Sequence, residues 1–72
     1  MKNKKLAIKL DGFNIYYLIL DNGIVNLIAY LNKKKYADEQ YVLSEQYMLD
    51  DAYKHLLGIA KRNLDKQKVF HD

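Results

Sequence analysis

Few side chains in this sequence have the chemistry of a catalytic residue. His55 and His71 are the only imidazoles, and no cysteine occurs among the 72 residues. Asp51 and His55 are four positions apart, a spacing that brings two side chains together on one face of a helix. Such a pair can act as a general base oriented by a carboxylate. On a helix surface, however, it is usually a weak ion pair, so we expect no catalytic residue.

Metal and phosphate sites are not indicated either. Asp50 and Asp51 are adjacent, and adjacent side chains on a helix diverge by about 100°, so they do not chelate one ion together. The hydroxyl of Ser44 is better explained as a helix N-cap than as a nucleophile, because a nucleophile needs a base beside it and a cap does not. The glycines are isolated, so no glycine-rich phosphate loop exists. The sequence predicts a non-enzymatic protein without a metal, a cofactor or a small-molecule substrate.

The formal charge of +3 has an unusual make-up, since Arg62 is the only arginine among twelve cationic side chains. Lysine, asparagine, isoleucine and tyrosine, which have AT-rich codons, are far more frequent than glycine, arginine and proline. Codon usage in an AT-rich genome therefore explains part of the lysine content. A basic chain of this kind is compatible with a nucleic-acid partner or an acidic protein partner, and its charge alone does not choose between them.

The apolar stretch Phe13–Leu31 does not have the pattern of a membrane-spanning segment. Its centre is Asp21-Asn22-Gly23, and an aspartate near the middle of a bilayer costs about 2.5–3.5 kcal/mol. No small-residue cleavage site follows an uninterrupted apolar region, so a signal peptide fits no better. The lack of cysteine also favours a reducing compartment. We therefore expect a cytoplasmic protein.

Two dipeptides predict β-hairpins. Asp11-Gly12 and Asn22-Gly23 are flanked by apolar residues, and both suit two-residue turns whose central positions need positive φ. The flanking strands are then Lys5–Leu10, Phe13–Leu20 and Ile24–Leu31. These strands form a three-stranded antiparallel meander with the second strand in the centre.

Two-residue turns also predict which side chains share a face of the sheet. In this register Ile8 faces Ile15 and Leu18 faces Leu27, since neighbours in a strand point to opposite faces. One face, which includes Ile15, Tyr17 and Ile28, is the expected seat of the helix. The other face is surplus and apolar, and such patches often mark interfaces. We predict that it binds a partner through Tyr16, Leu18, Leu20, Val25, Leu27 and Leu31. The alternative is that the chain beyond Gly58 covers it.

The second half of the chain predicts a helix. Asn32–Gln40 is polar and reads as a loop, and Tyr41–Leu43 is either a short fourth strand or the entry to the helix. Apolar residues at three- and four-residue spacing indicate a helix over Glu45–Asp65, with a potential break at Gly58. The predicted fold is α+β, in which the meander is followed by one C-terminal helix. It forms a single domain over residues 1–72, with frayed ends at 1–4 and 67–72.

The predicted surfaces suggest two functions. Lysines beside the apolar face would form a polar rim that steers an acidic partner, or would grip nucleic acid together with aromatic rings. This rim consists of Lys5, Lys9, Lys33, Lys34, Lys35 and Tyr36. In size and composition the chain resembles short accessory proteins of phages and mobile elements, many of which block a host enzyme. That resemblance implies an inhibitor of a host replication, transcription or defence protein. A homodimer through the apolar face, and a nucleic-acid-binding accessory protein, are the alternatives.

Overall fold

The computed structural model describes residues 4–70, which form a four-stranded antiparallel sheet followed by one helix. The strands β1 (Lys5–Leu10), β2 (Phe13–Asp21), β3 (Ile24–Leu31) and β4 (Lys34–Val42) lie side by side in sequence order. The helix α1 (Leu49–Asp65) follows them. The predicted α+β fold, a meander followed by a C-terminal helix, is confirmed.

The first hairpin follows its turn signal closely. Asp11 and Gly12 have φ of 49° and 87°, as a turn with two left-handed residues requires. Leu10 pairs with Phe13 and Ile8 with Ile15, as predicted. Beyond these pairs β1 contains one extra residue, Ala7, so that Leu6 pairs with Tyr16 instead of Tyr17. This β-bulge moves Leu6 to the other face of the sheet.

The predicted register of the second hairpin is wrong by one residue. Tyr17 pairs with Leu27 and Ile19 with Val25, because β2 contains an extra residue, Leu20, just before the turn. Gly23 has a φ of 74°, whereas Asn22 is not left-handed, so the turn is not the mirror-image type that the dipeptide predicts. The bulge therefore sits where the turn geometry departs from the expected one.

Hydrophobic burial explains why this register is adopted. The bulge turns Val25, Leu27 and Leu31 to the same side as Phe13 and Ile15, where a single helix can cover them all. Burying an aliphatic side chain of this size contributes roughly 1.5–3 kcal/mol. The two-residue register would leave these three side chains on the uncovered face. It would instead turn Ile28, which lies away from α1, toward the helix.

The fourth strand corrects the predicted loop over Asn32–Gln40. Asn32 and Lys33 have φ of 52° and 66° and form a tight turn, after which β4 pairs with β3 along its whole length. An extra residue, Tyr36, bulges from β4 and is buried, with its ring edge-on to Phe13 at 6.1 Å between centroids. Only a few side chains of this strand face the core, so its lysine-rich sequence lacks the apolar alternation that would predict a strand.

The helix begins four residues later than predicted and is not broken at Gly58. Ser44 caps the turn before α1, where its hydroxyl accepts a hydrogen bond from the Tyr47 amide at 3.1 Å. Asp51 accepts one from the Met48 amide at 2.9 Å and so satisfies a free donor at the start of the helix. The buried stripe of α1 packs on β3 and β4 and consists of Ala52, Tyr53, Leu56 and Ala60.

The end of α1 is tied to the outer edge of β4. The Asn63 amide donates to the carbonyl of Tyr36 at 2.7 Å, and the backbone amide of Phe70 donates to the carbonyl of Lys35 at 2.7 Å. The described chain beyond Gly58 thus covers the helix side and the β4 edge. Residues 1–3 and 71–72 of the predicted frayed ends lie outside the described residues, and fraying stays a prediction.

The corrected register makes opposite predictions for two leucines of the meander. Leu27 is fully buried, so Leu27→Glu places a charge in the core of a small domain that has only a few kcal/mol to lose. Leu18 lies on the other face of the sheet and is half-buried. We expect Leu27→Glu to unfold the protein and Leu18→Glu to keep its circular dichroism spectrum and a cooperative melt. Equal tolerance of both changes would contradict the register.

Candidate functional site

The face of the sheet opposite α1 is the candidate site, and we call it the open face. Its members follow from the strand pairing, because side chains of directly paired residues point to the same side of a sheet. Within residues 4–70 no second helix covers it. The open face carries Leu6, Lys9, Asn14, Tyr16, Leu18, Asp21, Ile24, Asn26, Ile28, Tyr30, Lys35, Asp38, Gln40 and Val42.

The structure does not bring the six predicted partner-binding residues together. Tyr16 and Leu18 lie on the open face, and Leu20 occupies the bulge of β2. Val25 and Leu27 are instead 7% and 0% exposed in the core beneath α1, and the partly buried Leu31 packs against the same core. The one-residue error in register is the cause. A binding role for the residues that remain on the open face stays a prediction.

The predicted lysine rim is also divided between the two sides of the sheet. Lys9 and Lys35 lie on the open face, and Lys33 occupies the turn between β3 and β4. Lys5 pairs with Tyr17 and Lys34 with Leu31, which places both on the helix side. Tyr36 is buried in the core, so it offers no surface for stacking.

One end of the open face forms a concavity of about 360 Å³, which we call the cationic concavity; it is bounded by Lys4, Asn14, Tyr16, Tyr30 and Lys33. The rings of Tyr16 and Tyr30 meet edge-to-face, with centroids 5.5 Å apart and planes at 90°. The ammonium group of Lys4 lies 4.5 Å from the centre of the Tyr30 ring and 5.8 Å from that of Tyr16. It also donates a hydrogen bond to the Tyr30 hydroxyl.

The charges of the open face are unevenly compensated. Asp38 accepts hydrogen bonds from the Asn26 amide at 2.8 Å and from the Lys35 ammonium at 3.2 Å, so each of its carboxylate oxygens has a partner. Lys4, Lys9 and Lys33 have no carboxylate partner within residues 4–70. Among the described residues, the end of the face that carries the concavity is therefore positive, and the ammonium group of Lys4 there contacts neutral groups.

Sequence reasoning missed three of the five residues that form the cationic concavity. Lys4 falls in the segment that the sequence predicts to fray, and Asn14 belongs to no motif. The register of a two-residue turn pairs Tyr30 with Ile15 and so puts Tyr30 on the helix side. The alternation of Asn14, Tyr16 and Leu18 along β2 is visible in the sequence. The bulge that aligns Tyr30 with Asn14 is not, because it follows from packing.

His55 does not form the predicted pair with Asp51. Its Nδ1 lies 2.9 Å from the hydroxyl of Tyr41, while the Asp51 carboxylate accepts from a backbone amide instead. Burial raises the pKa of Tyr41 to about 12, and Tyr47 and Glu39 contribute in the same direction.

Within residues 4–70 no cluster of three potential metal ligands is found. His71 lies outside the described residues.

No helix within residues 4–70 combines the length and the apolar character needed to cross a bilayer. Comparisons with family models, with curated proteins and with solved structures find no match to the chain. The chemistry of the chain's own surface is therefore the guide to its function.

The raised pKa of Tyr41 predicts a loss of stability at alkaline pH. The folded pKa of about 12 exceeds the unfolded value of 10.0, so the contribution is complete below pH 10 and is lost as the pH rises through 12. Burial also raises the pKa of Tyr53, with help from Asp50 and Tyr17, so some loss persists without Tyr41. In denaturant titrations across this window, Tyr41→Phe should lose stability less steeply than the parent chain. Parallel curves would contradict the assignment.

Proposed function

We propose that this chain is a non-enzymatic binding module whose open face recognises an anionic macromolecule. The observation that carries the proposal is the cationic concavity, where Lys4 and Lys33 flank two tyrosine rings without a carboxylate partner in the described chain. Uncompensated cations around a recess attract anions and raise the rate at which they are captured. The adjacent Lys9 extends the same charge along the face.

The side chains of the concavity favour binding over catalysis. Lysine, tyrosine and asparagine hold and orient a ligand through charge, ring contacts and hydrogen bonds. Of the two histidines, His55 lies on α1 and is engaged by Tyr41, and His71 lies outside the described residues. We place the activity in the cytoplasm, in the host cell if the gene belongs to a phage, because the sequence holds no cysteine.

A host protein is the second candidate partner, and the other end of the open face supports it. Ile24 and Val42 pair there, with Asp21 opposite Ile24 on β2 and Leu18 as the next residue of β2 on this face, and Val42 is 70% exposed. This aliphatic end is smaller than the six-residue surface that the sequence predicts, since Val25 and Leu27 are buried. An inhibitor of a replication, transcription or defence protein would dock there, with the lysines steering an acidic partner. A second copy of the chain is the other potential occupant.

The proposal predicts retention on immobilised heparin that depends on position as well as on charge. The double variant Lys4→Gln/Lys33→Gln should elute at a distinctly lower salt concentration than the parent chain, because the cations of the concavity are lost. Lys54→Gln/Lys66→Gln removes the same charge from exposed positions on and beside α1 and is the matched control. Equal elution of the two double variants would show that net charge alone is responsible and would refute a specific site.

The second candidate function predicts a protein partner that stays bound at high salt concentration. We would use the chain as bait in a low-GC bacterial lysate and compare it with Val42→Glu and with Ile19→Glu. Ile19 is also strongly exposed but lies on the helix side of the sheet. A protein retained by the parent and by Ile19→Glu, but lost from Val42→Glu, would support docking at the aliphatic end. Loss from neither variant would count against it.

A further inference from the structure

We infer that the cationic concavity is a subsite for one nucleotide of a single-stranded nucleic acid, with the base against Tyr16 and the adjoining phosphates on Lys4 and Lys33. This inference rests on the proposed function and narrows its anionic partner to one chemical class. It also gives separate roles to the rings, the cations and the amide that line the recess.

The aromatic side chains supply the contact for a base. Tyr30 is nearly buried and packs in an edge-to-face arrangement with the ring of Tyr16, which remains partly exposed. A ring held by its neighbour loses little freedom when a ligand packs against it. Stacking of a base on such a ring tolerates any base, because every base has a π-face.

The lysines supply the contact for phosphates. Lys4 lies near two tyrosine rings and donates to the Tyr30 hydroxyl, all of which are neutral, and the Lys33 side chain makes no hydrogen bond or ion pair within residues 4–70. A phosphate would therefore gain both cations without first breaking an ion pair. Lys33 projects from a turn at one side of the recess and Lys4 from the segment before β1, so that they flank it.

Asn14 completes the recess with a group that can read the edge of a base. Its side-chain amide has no hydrogen-bond partner within the described chain, although the residue is half-buried. An amide offers a donor and an acceptor together, which matches the edges of nucleobases. A simple carboxylate ligand would use the donor only.

The same chemistry disfavours the two other anionic polymers. In a duplex the faces of the bases are covered by their neighbours, so the Tyr16 ring would have nothing to stack on. An acidic protein segment would satisfy the lysines but would use neither the ring nor the volume of about 360 Å³. A single strand uses all three features of the recess.

The test is fluorescence anisotropy with a labelled oligothymidylate, in competition with an unlabelled duplex of the same length and with polyglutamate. We expect the single strand to bind and both competitors to displace it poorly. The change Tyr16→Leu should lower the affinity for the single strand by about tenfold, while Tyr16→Phe, which keeps the ring, should bind the single strand like the parent. Each of Lys4→Gln and Lys33→Gln should reduce the slope of affinity against salt by about 0.7.

The outcomes separate this inference from the proposed function. If Tyr16→Leu binds the single strand like the parent, or if polyglutamate competes equally, the nucleotide subsite is refuted, although retention on heparin can still stand. If neither heparin nor the oligonucleotide binds, both proposals fail. If Tyr16→Leu does not fold, the ring protons of Tyr16 and Tyr30 in the parent chain decide the question. They should shift on titration with the oligonucleotide, and unshifted ring resonances would overturn the inference.

Discussion

Burial of one apolar face of the sheet beneath one helix is the constraint on which the rest of this structure depends. The helix is the only one that the described residues contain, and its buried stripe can cover one side of the sheet. The strands must therefore turn Phe13, Ile15 and Leu27 to the same side. Each such side chain is worth roughly 1.5–3 kcal/mol when buried, which is enough to favour irregular pairing over a regular ladder.

Three bulges meet this requirement, and they also create the open face. The extra residues Ala7, Leu20 and Tyr36 each change the alternation of one strand. As a result, Tyr30 leaves the side that a regular ladder would give it and joins Tyr16 on the side away from the helix. The cationic concavity is thus a consequence of how the core is packed. In physical terms, the functional proposals depend on the same register as the stability of the fold.

The sequence predicts those parts of the fold that local chemistry determines. Asp11-Gly12 forms the expected turn, and the segment from Leu49 onward, with apolar residues at three- and four-residue spacing, forms the expected helix. The bulge at Leu20 could not be predicted, because it results from competition between turn geometry and burial across strands. Most of β4 was not predicted, because its turn, Asn32-Lys33, lacks the glycine that usually marks left-handed positions. Only its end, Tyr41 and Val42, falls in the segment that the sequence offers as a short fourth strand. The candidate site inherited both errors: of the predicted residues, Tyr16, Leu18, Lys9 and Lys35 lie on the open face, and Lys33 lies in the turn beside it.

The central claim is that the bulged register presents Tyr16 and Tyr30 together on the open face. Cross-strand nuclear Overhauser effects between β2 and β3 test this most directly, since backbone protons of paired residues are close in an antiparallel sheet. The structure predicts contacts that pair Tyr16 with Ile28 and Asn14 with Tyr30. Contacts that instead pair Tyr17 with Ile28 and Ile15 with Tyr30 would restore the regular ladder. They would separate the two rings onto opposite faces and contradict the account.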